Sequence, residues 1–112
     1  MSTVSLDQLS FAAFKNLLNT LFRVHLSPAP CVELDLIEAT LSEQPAAGSP
    51  DVPGRECFSL VFSGPASRPL MQRTYLFEHE KLGAFELFVV PIGVDNGRVR
   101  YQAIFNRTIP AA

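Results

Sequence analysis

The chain has 112 residues, 47% of them hydrophobic and nine of them phenylalanine, with a net charge of −2 at pH 7. Such a chain is sized and composed for one packed domain, which argues against intrinsic disorder. Its nine Lys and Arg are scattered, which leaves no basic patch for nucleic acid or for an anionic membrane surface.

The N-terminal stretch MSTVSLDQLSF has neither the basic nor the apolar region of a signal peptide. No apolar run approaches the ~20 residues of a membrane helix, so a cytoplasmic location without membrane contact is expected. Ser5 followed by Gln8 has the spacing of a capping box. Leu6, Leu9, Ala13, Phe14, Leu17, Leu18 and Leu21 recur at three- and four-residue steps, which predicts an amphipathic helix over about residues 6–18. The period then changes to two. Phe22, Val24 and Leu26 alternate with Arg23 and His25, predicting a strand over about 20–26 that the SPAP turn ends.

A second strand is predicted over about 31–42, where Val32, Leu34 and Leu36 alternate with Glu33 and Asp35. From Ile37 the apolar set becomes Ile37, Ala39 and Leu41, so the parity slips at Leu36–Ile37 and a β-bulge is the simplest repair. The Pro- and Gly-rich stretch over about 44–54 is predicted as a flexible loop, and strands follow over about 56–63, 73–79, 84–92 and 98–106.

Two hairpins join the last three strands. With Lys81-Leu82-Gly83 as a Gly-bulged loop, Glu80 pairs with Ala84, His79 faces Phe85, Phe77 faces Leu87 and Tyr75 faces Val89. With Asp95-Asn96-Gly97 as the next loop, Ala103 faces Val89 and Phe105 faces Leu87. A two-residue Asn-Gly turn would need a distortion at Pro91 to reach the same faces. Gly83, Gly97, Gly64 and Pro91 are therefore structural candidates. The sum is an α+β, mostly β, single domain spanning 1–112. Its N-terminal helix packs on a small antiparallel barrel, or a strongly curled sheet, of about six strands.

The residues for chemistry are sparse. Two histidines and two cysteines form neither C-x-x-C nor H-x-x-x-H, so no metal and no cofactor is expected. Cys31 and Cys57 sit beside apolar residues and read as buried, reduced thiols. Neither cysteine has a local signal for pairing with His25 or His79 as a nucleophile. FSGPA is not a nucleophile elbow, and no glycine-rich run leads into a helix to cradle phosphate. Strand alternation places Glu33, Asp35, Glu78 and Glu86 on polar outer faces. His79 ends an apolar row against a turn, with its ring expected on Phe85 and one nitrogen on a loop carbonyl. If the chain holds a site, His79, Tyr75 and Glu78 are the best candidates for it, and no catalytic role is assigned to them. The aromatic row Phe58, Phe62, Tyr75, Phe77, Phe85, Tyr101 and Phe105 is expected to fill the barrel rather than line a cavity.

From F-S-L-x-F-x-G-P through L-x-Q-x-x-Y-x-x-x-H, L-F-V-x-P-I-G and the closing Y-x-A-x-F-N, the chain resembles an uncharacterised family of small bacterial domains. The resemblance covers Leu6 to about Asn106, and it implies no activity and no catalytic residue. It implies relatives encoded beside phage-tail-collar or tail-fibre-like genes. The expected function is thus a non-enzymatic structural or protein-interaction module, with a protein partner that includes a second copy joined through a strand edge. A small-molecule or lipid-binding barrel is the alternative, and an enzyme with an unrecognised site is the third reading.

Overall fold

The computed structural model describes residues 9–26, 30–41 and 54–109. A short helix, α1 (Phe11–Lys15), precedes six strands: β1 (Leu21–His25), β2 (Val32–Leu41), β3 (Gly54–Pro65), β4 (Arg73–His79), β5 (Gly83–Asp95) and β6 (Arg98–Ile109). All neighbouring strands are antiparallel, and they close into a barrel in the order β1–β2–β3–β6–β5–β4. Closure gives every strand a partner on both sides, which removes the open edges of a curled sheet. The predicted loop over 44–54 lies outside the described residues except for Gly54, which opens β3.

The alternation read from the sequence sets the two faces of the wall. Phe22 and Val24 of β1, and Val32, Leu34 and Leu36 of β2, point inward and are buried. The register then slips as expected: Leu36 pairs with Phe62, while Glu38 pairs with Val61, leaving Ile37 extra. The bulge keeps Ala39 against the core, opposite Leu60, which an unbroken strand would have turned outward.

Both hairpins use a turn different from the first one expected, and in β4–β5 the register differs as well, while β5–β6 keeps the expected register beyond Pro91. In β4–β5, His79 pairs with Gly83, Phe77 with Phe85 and Tyr75 with Leu87, so the loop is Glu80-Lys81-Leu82. Gly83 does take a left-handed φ of 85°, but as a paired residue rather than the last of the loop. The shift is by two residues, so every side chain keeps its face. In β5–β6, Asp95 pairs with Arg98 across a two-residue turn in which Asn96 and Gly97 have φ of 52° and 75°. Those angles fit the mirror-image turn that matches strand twist. A register shift between Pro91 and Gly93 then returns Tyr101, Ala103 and Phe105 to the core. This is the Pro91 distortion, and it replaces the three-residue loop.

The helix is shorter than its apolar periodicity. Ser5 and residues 6–8 lie outside the described residues, and Leu9 and Ser10 precede the helix. Ser10 is the N-cap, its Oγ accepting from the Ala13 amide at 3.2 Å. The helix ends early because the strand pairing begins: the Asn19 amide, at φ 66°, donates to the Leu36 carbonyl at 2.7 Å. Leu21 accordingly leaves the stripe and is exposed at the start of β1.

One end of the barrel is plugged by Phe14, which is fully buried. Its ring centroid lies 5.1 Å from Phe105, 6.0 Å from Phe58 and Phe85, and 6.3 Å from Phe22. The other end is closed by the β3–β4 connection. There the Tyr101 Oη accepts from the Leu70 amide at 2.8 Å, and Tyr75 Oη both accepts from and donates to Met71 backbone at 3.0 Å. All seven aromatic residues expected in the core are buried. They fill the barrel with ring-to-ring contacts such as Phe58–Phe105 at 4.6 Å.

Gly64 has a packing reason to lack a side chain. A Cβ there would overlap the Cδ2 of Leu34 and touch Tyr101. Overpacking of this kind costs about 1–3 kcal/mol. Gly64→Ala should lower the denaturant midpoint accordingly. Combined with Leu34→Ala it should cost clearly less than the sum of the two single changes, because the shortened Leu34 vacates the space.

Candidate functional site

The seam between β1 and β4 brings together the polar residues most able to do chemistry. Arg23 pairs with Glu78, Val24 with Phe77 and His25 with Leu76. Val24 and Phe77 face the core, so Arg23, His25 and Glu78 face outward. Glu78 Oε1 lies 2.9 Å from His25 Nε2 and 3.3 Å from Arg23 Nη2. On its other side His25 presents Nδ1 to the Sγ of Cys31 at 3.3 Å. Cys31 stands one step beyond the Val24–Val32 pair, where the β1–β2 connection returns.

The order of partners fixes the protons. Glu78 accepts only, so neutral His25 carries its proton on Nε2 and offers the Nδ1 lone pair to the Cys31 S–H. The hydrogen bond from His25 is the largest influence holding the Glu78 carboxyl below its ordinary range; desolvation opposes it and the Arg23 charge reinforces it. The two nitrogens of His25 serve different partners, so the three side chains form a line rather than a chelate. Arg68 fixes the thiol's backbone: its Nη1 donates to the Cys31 carbonyl at 3.0 Å and its Nη2 to the Pro30 carbonyl at 2.6 Å. A cleft of about 370 Å³ opens beside Cys31, lined in part by Glu33, Asp35, Arg68 and Arg98.

Cys31 thus departs from the reading of both cysteines as buried: it is exposed, and Cys57 is half-buried. Its apolar neighbours in sequence misled, because Val32 turns inward while Cys31 precedes the strand on the outer side. A signal for the pair was present. His25 ends one strand on the outward parity and Cys31 begins the next, so a β1–β2 hairpin would juxtapose them. Glu78, one of the three candidates, is part of this line. Tyr75 and His79 are not.

His79 is a satisfied rim residue, 4% exposed. Its ring packs on Phe22 at 4.5 Å, not on Phe85, because the hairpin register places Gly83 opposite it. The Lys81 amide, rather than a loop carbonyl, is the loop partner and donates to Nδ1 at 3.0 Å. The proton of neutral His79 therefore sits on Nε2, 2.9 Å from Thr20 Oγ1, and Thr20 donates onward to the Leu17 carbonyl at 2.6 Å. Tyr75 serves the Met71 backbone at the opposite end of the barrel. A separate feature is the outer face of β5 and β6. Phe88 and Ile104, 49% and 73% exposed, lie two residues from the Val90–Gln102 pair, on the same side of it and the same face.

Residues 9–105 match the family model described as a domain of unknown function, DUF6916, and the chain belongs to that family. No curated protein and no solved structure matches the chain.

The burial of His79 lowers its pKa below the ordinary imidazole value, with Lys81 acting in the same direction and Glu80 opposing. The unfolded chain then binds a proton near pH 6.5 while the folded chain does not. The stability contributed by neutral His79 is complete above that value and is lost as pH falls through the folded pKa. Chemical denaturation from about pH 7 downward should therefore show a steeper loss in the wild type than in His79→Gln, the difference isolating this residue from Glu78 and His25.

Proposed function

We propose that this DUF6916 domain is a non-enzymatic interaction module that associates with a second copy of itself through the outer face of β5 and β6. The observation that carries the reading is the pair Phe88 and Ile104, large apolar side chains exposed side by side on a sheet face. A patch of this kind is a common mark of an interface. The barrel is closed, so association by strand addition has no open edge to use, and a face takes that role.

Charge makes the face complementary to itself. Beyond Phe88 the outward row of β5 continues to the exposed Glu86, and beyond Gln102 the row of β6 continues to the exposed Arg100. A two-fold axis through the strip sets the acidic end of one copy against the basic end of the other, as an isologous contact requires. Arg100 already makes an exposed bridge to Asp95 at 3.0 Å, which Glu86 of the second copy would share. A place in a phage-tail-like assembly, which the family resemblance implies, would use the same face for repeated copies. The alternative reading, a small-molecule or lipid carrier, would need interior room that Phe14, Phe62, Phe77 and Tyr101 occupy.

Sedimentation over a range of concentrations tests the proposal. The wild type should shift from monomer toward dimer as concentration rises, and Phe88→Ser with Ile104→Ser should remain monomeric with an unchanged thermal midpoint. A wild type that stays monomeric throughout, or a doubly substituted chain that dimerises equally well, would overturn it.

A further inference from the structure

Cys31, His25 and Glu78 take no part in the packing of the core or in the β5–β6 face. Their arrangement is that of a thiol held against a base whose far nitrogen is oriented by a carboxylate, the general pattern of an activated cysteine. We infer that Cys31 is a nucleophilic thiol that forms mixed disulfides with small zwitterionic disulfides seated in the cleft beside it.

The chemistry needs only what these residues supply. Cys31 gives its proton to His25 Nδ1, and Glu78 stabilises the resulting imidazolium through the Nε2–H. The thiolate attacks one sulfur of the disulfide in line with the S–S bond. A bond forms between Cys31 Sγ and that sulfur, the S–S bond of the small disulfide breaks, and the departing thiolate takes the proton back from His25. Cys31 is oxidised to the mixed disulfide, and the other half of the reagent is reduced to a free thiol. The charge on the leaving sulfur is quenched by that proton, so the step asks for no oxyanion hole.

The cleft gives the class of partner. It presents Arg68 and Arg98 together with Glu33 and Asp35, so both signs of charge lie beside the thiol. Arg98 is held by Asp35 at 3.0 Å and by the Ser63 hydroxyl at 2.7 Å, and Arg68 by the two carbonyls that flank the thiol. A disulfide built of amino-acid units carries an ammonium and carboxylates for these groups. His25 itself is faced by Glu78 from β4, by Cys31 just ahead of β2, and by Arg23 from its own strand. The Glu78 carboxylate, held low by the His25 hydrogen bond first and by Arg23 after it, stays ionised at neutral and mildly acidic pH.

Oxidised glutathione is the probe, added to the full chain carrying Cys57→Ser, with adduct formation followed by intact mass across a pH series. At about pH 6 the folded protein should react about tenfold or more faster than the same chain in denaturant, where Cys31 is an ordinary thiol. His25→Ala should fall to the denatured rate with its circular dichroism unchanged. Glu78→Gln, which alters a positioning residue, should move the low-pH limb of the profile while the rate above it is largely kept. An uncharged disulfide, bis(2-hydroxyethyl) disulfide, should show a smaller folded-to-denatured ratio. Equal rates in folded and denatured protein, or a folded His25→Ala chain that reacts as fast as its parent, would overturn the nucleophile. Equal acceleration of both reagents would overturn the cleft as the site that selects them.

Discussion

Closure of the barrel depends on its shortest contact, three cross-strand pairs between β1 and β4. Every other junction is a hairpin between consecutive strands or the long, unbroken β3–β6 ladder from Gly54–Ile109 to Pro65–Arg98. The β1–β4 seam joins a five-residue strand to residues more than fifty positions later in the chain. Its inner member is Val24 against Phe77, both fully buried, and burying such side chains is worth roughly 1.5–3 kcal/mol each. Its outer members are Arg23, His25, Glu78 and the half-buried Leu76, and a surface ion pair such as Arg23 with Glu78 contributes little to stability. The seam is thus held from inside. Its outer residues are brought together as a consequence of closure and carry little of its cost, which leaves them free for chemistry.

The two ends of the barrel are closed by different physics. At the helix end Phe14 fills space by shape, ringed by Phe22, Phe58, Phe85 and Phe105. A helix of five residues has no independent stability, so α1 exists because that socket receives Phe14 and Ser10 caps its start. At the loop end the inward-facing tyrosines bring hydroxyls to a connection whose amides would otherwise lose their partners. Burial raises the Tyr101 pKa, with the hydrogen bond from Leu70 opposing and Tyr75 adding to the rise. His79 belongs to the first closure. Through Thr20 and Leu17 it ties the residues after α1 to the β4–β5 hairpin.

What the sequence disclosed, and what it hid, follows from the range of each interaction. Alternation is local, so the faces of β1, β2, β4 and β5 and the bulge after Leu36 were readable from neighbours alone. Hairpin register depends on how a turn distributes its residues. There Gly83 was read correctly as left-handed, yet it was placed in the loop rather than opposite His79, and the Asn96-Gly97 turn was tighter than first expected. The helix was overestimated because an apolar period says nothing of the strand hydrogen bond from Asn19 to Leu36 that ends it. Closure was expected only in outline. Which strand meets which across β3–β6 and β1–β4 is a non-local choice that no periodicity encodes.

The candidate site inherits that asymmetry. The outward parity of Glu78 and of His25 was visible separately, but their meeting was not, because it needs the seam. Cys31 was the opposite case: its approach to His25 is local, six residues apart in the chain, and was hidden because a cysteine next to apolar residues reads as core. The same fold thus makes two histidines with opposite characters. His79 is walled by Phe22 and bonded on both nitrogens to groups that stay put, so protonation costs it a bond to Lys81. His25 is bonded on one side to the Glu78 carboxylate and on the other to the Cys31 thiol, which can give it a proton. Inward parity made the first a structural pin, and outward parity at a seam made the second a proton carrier.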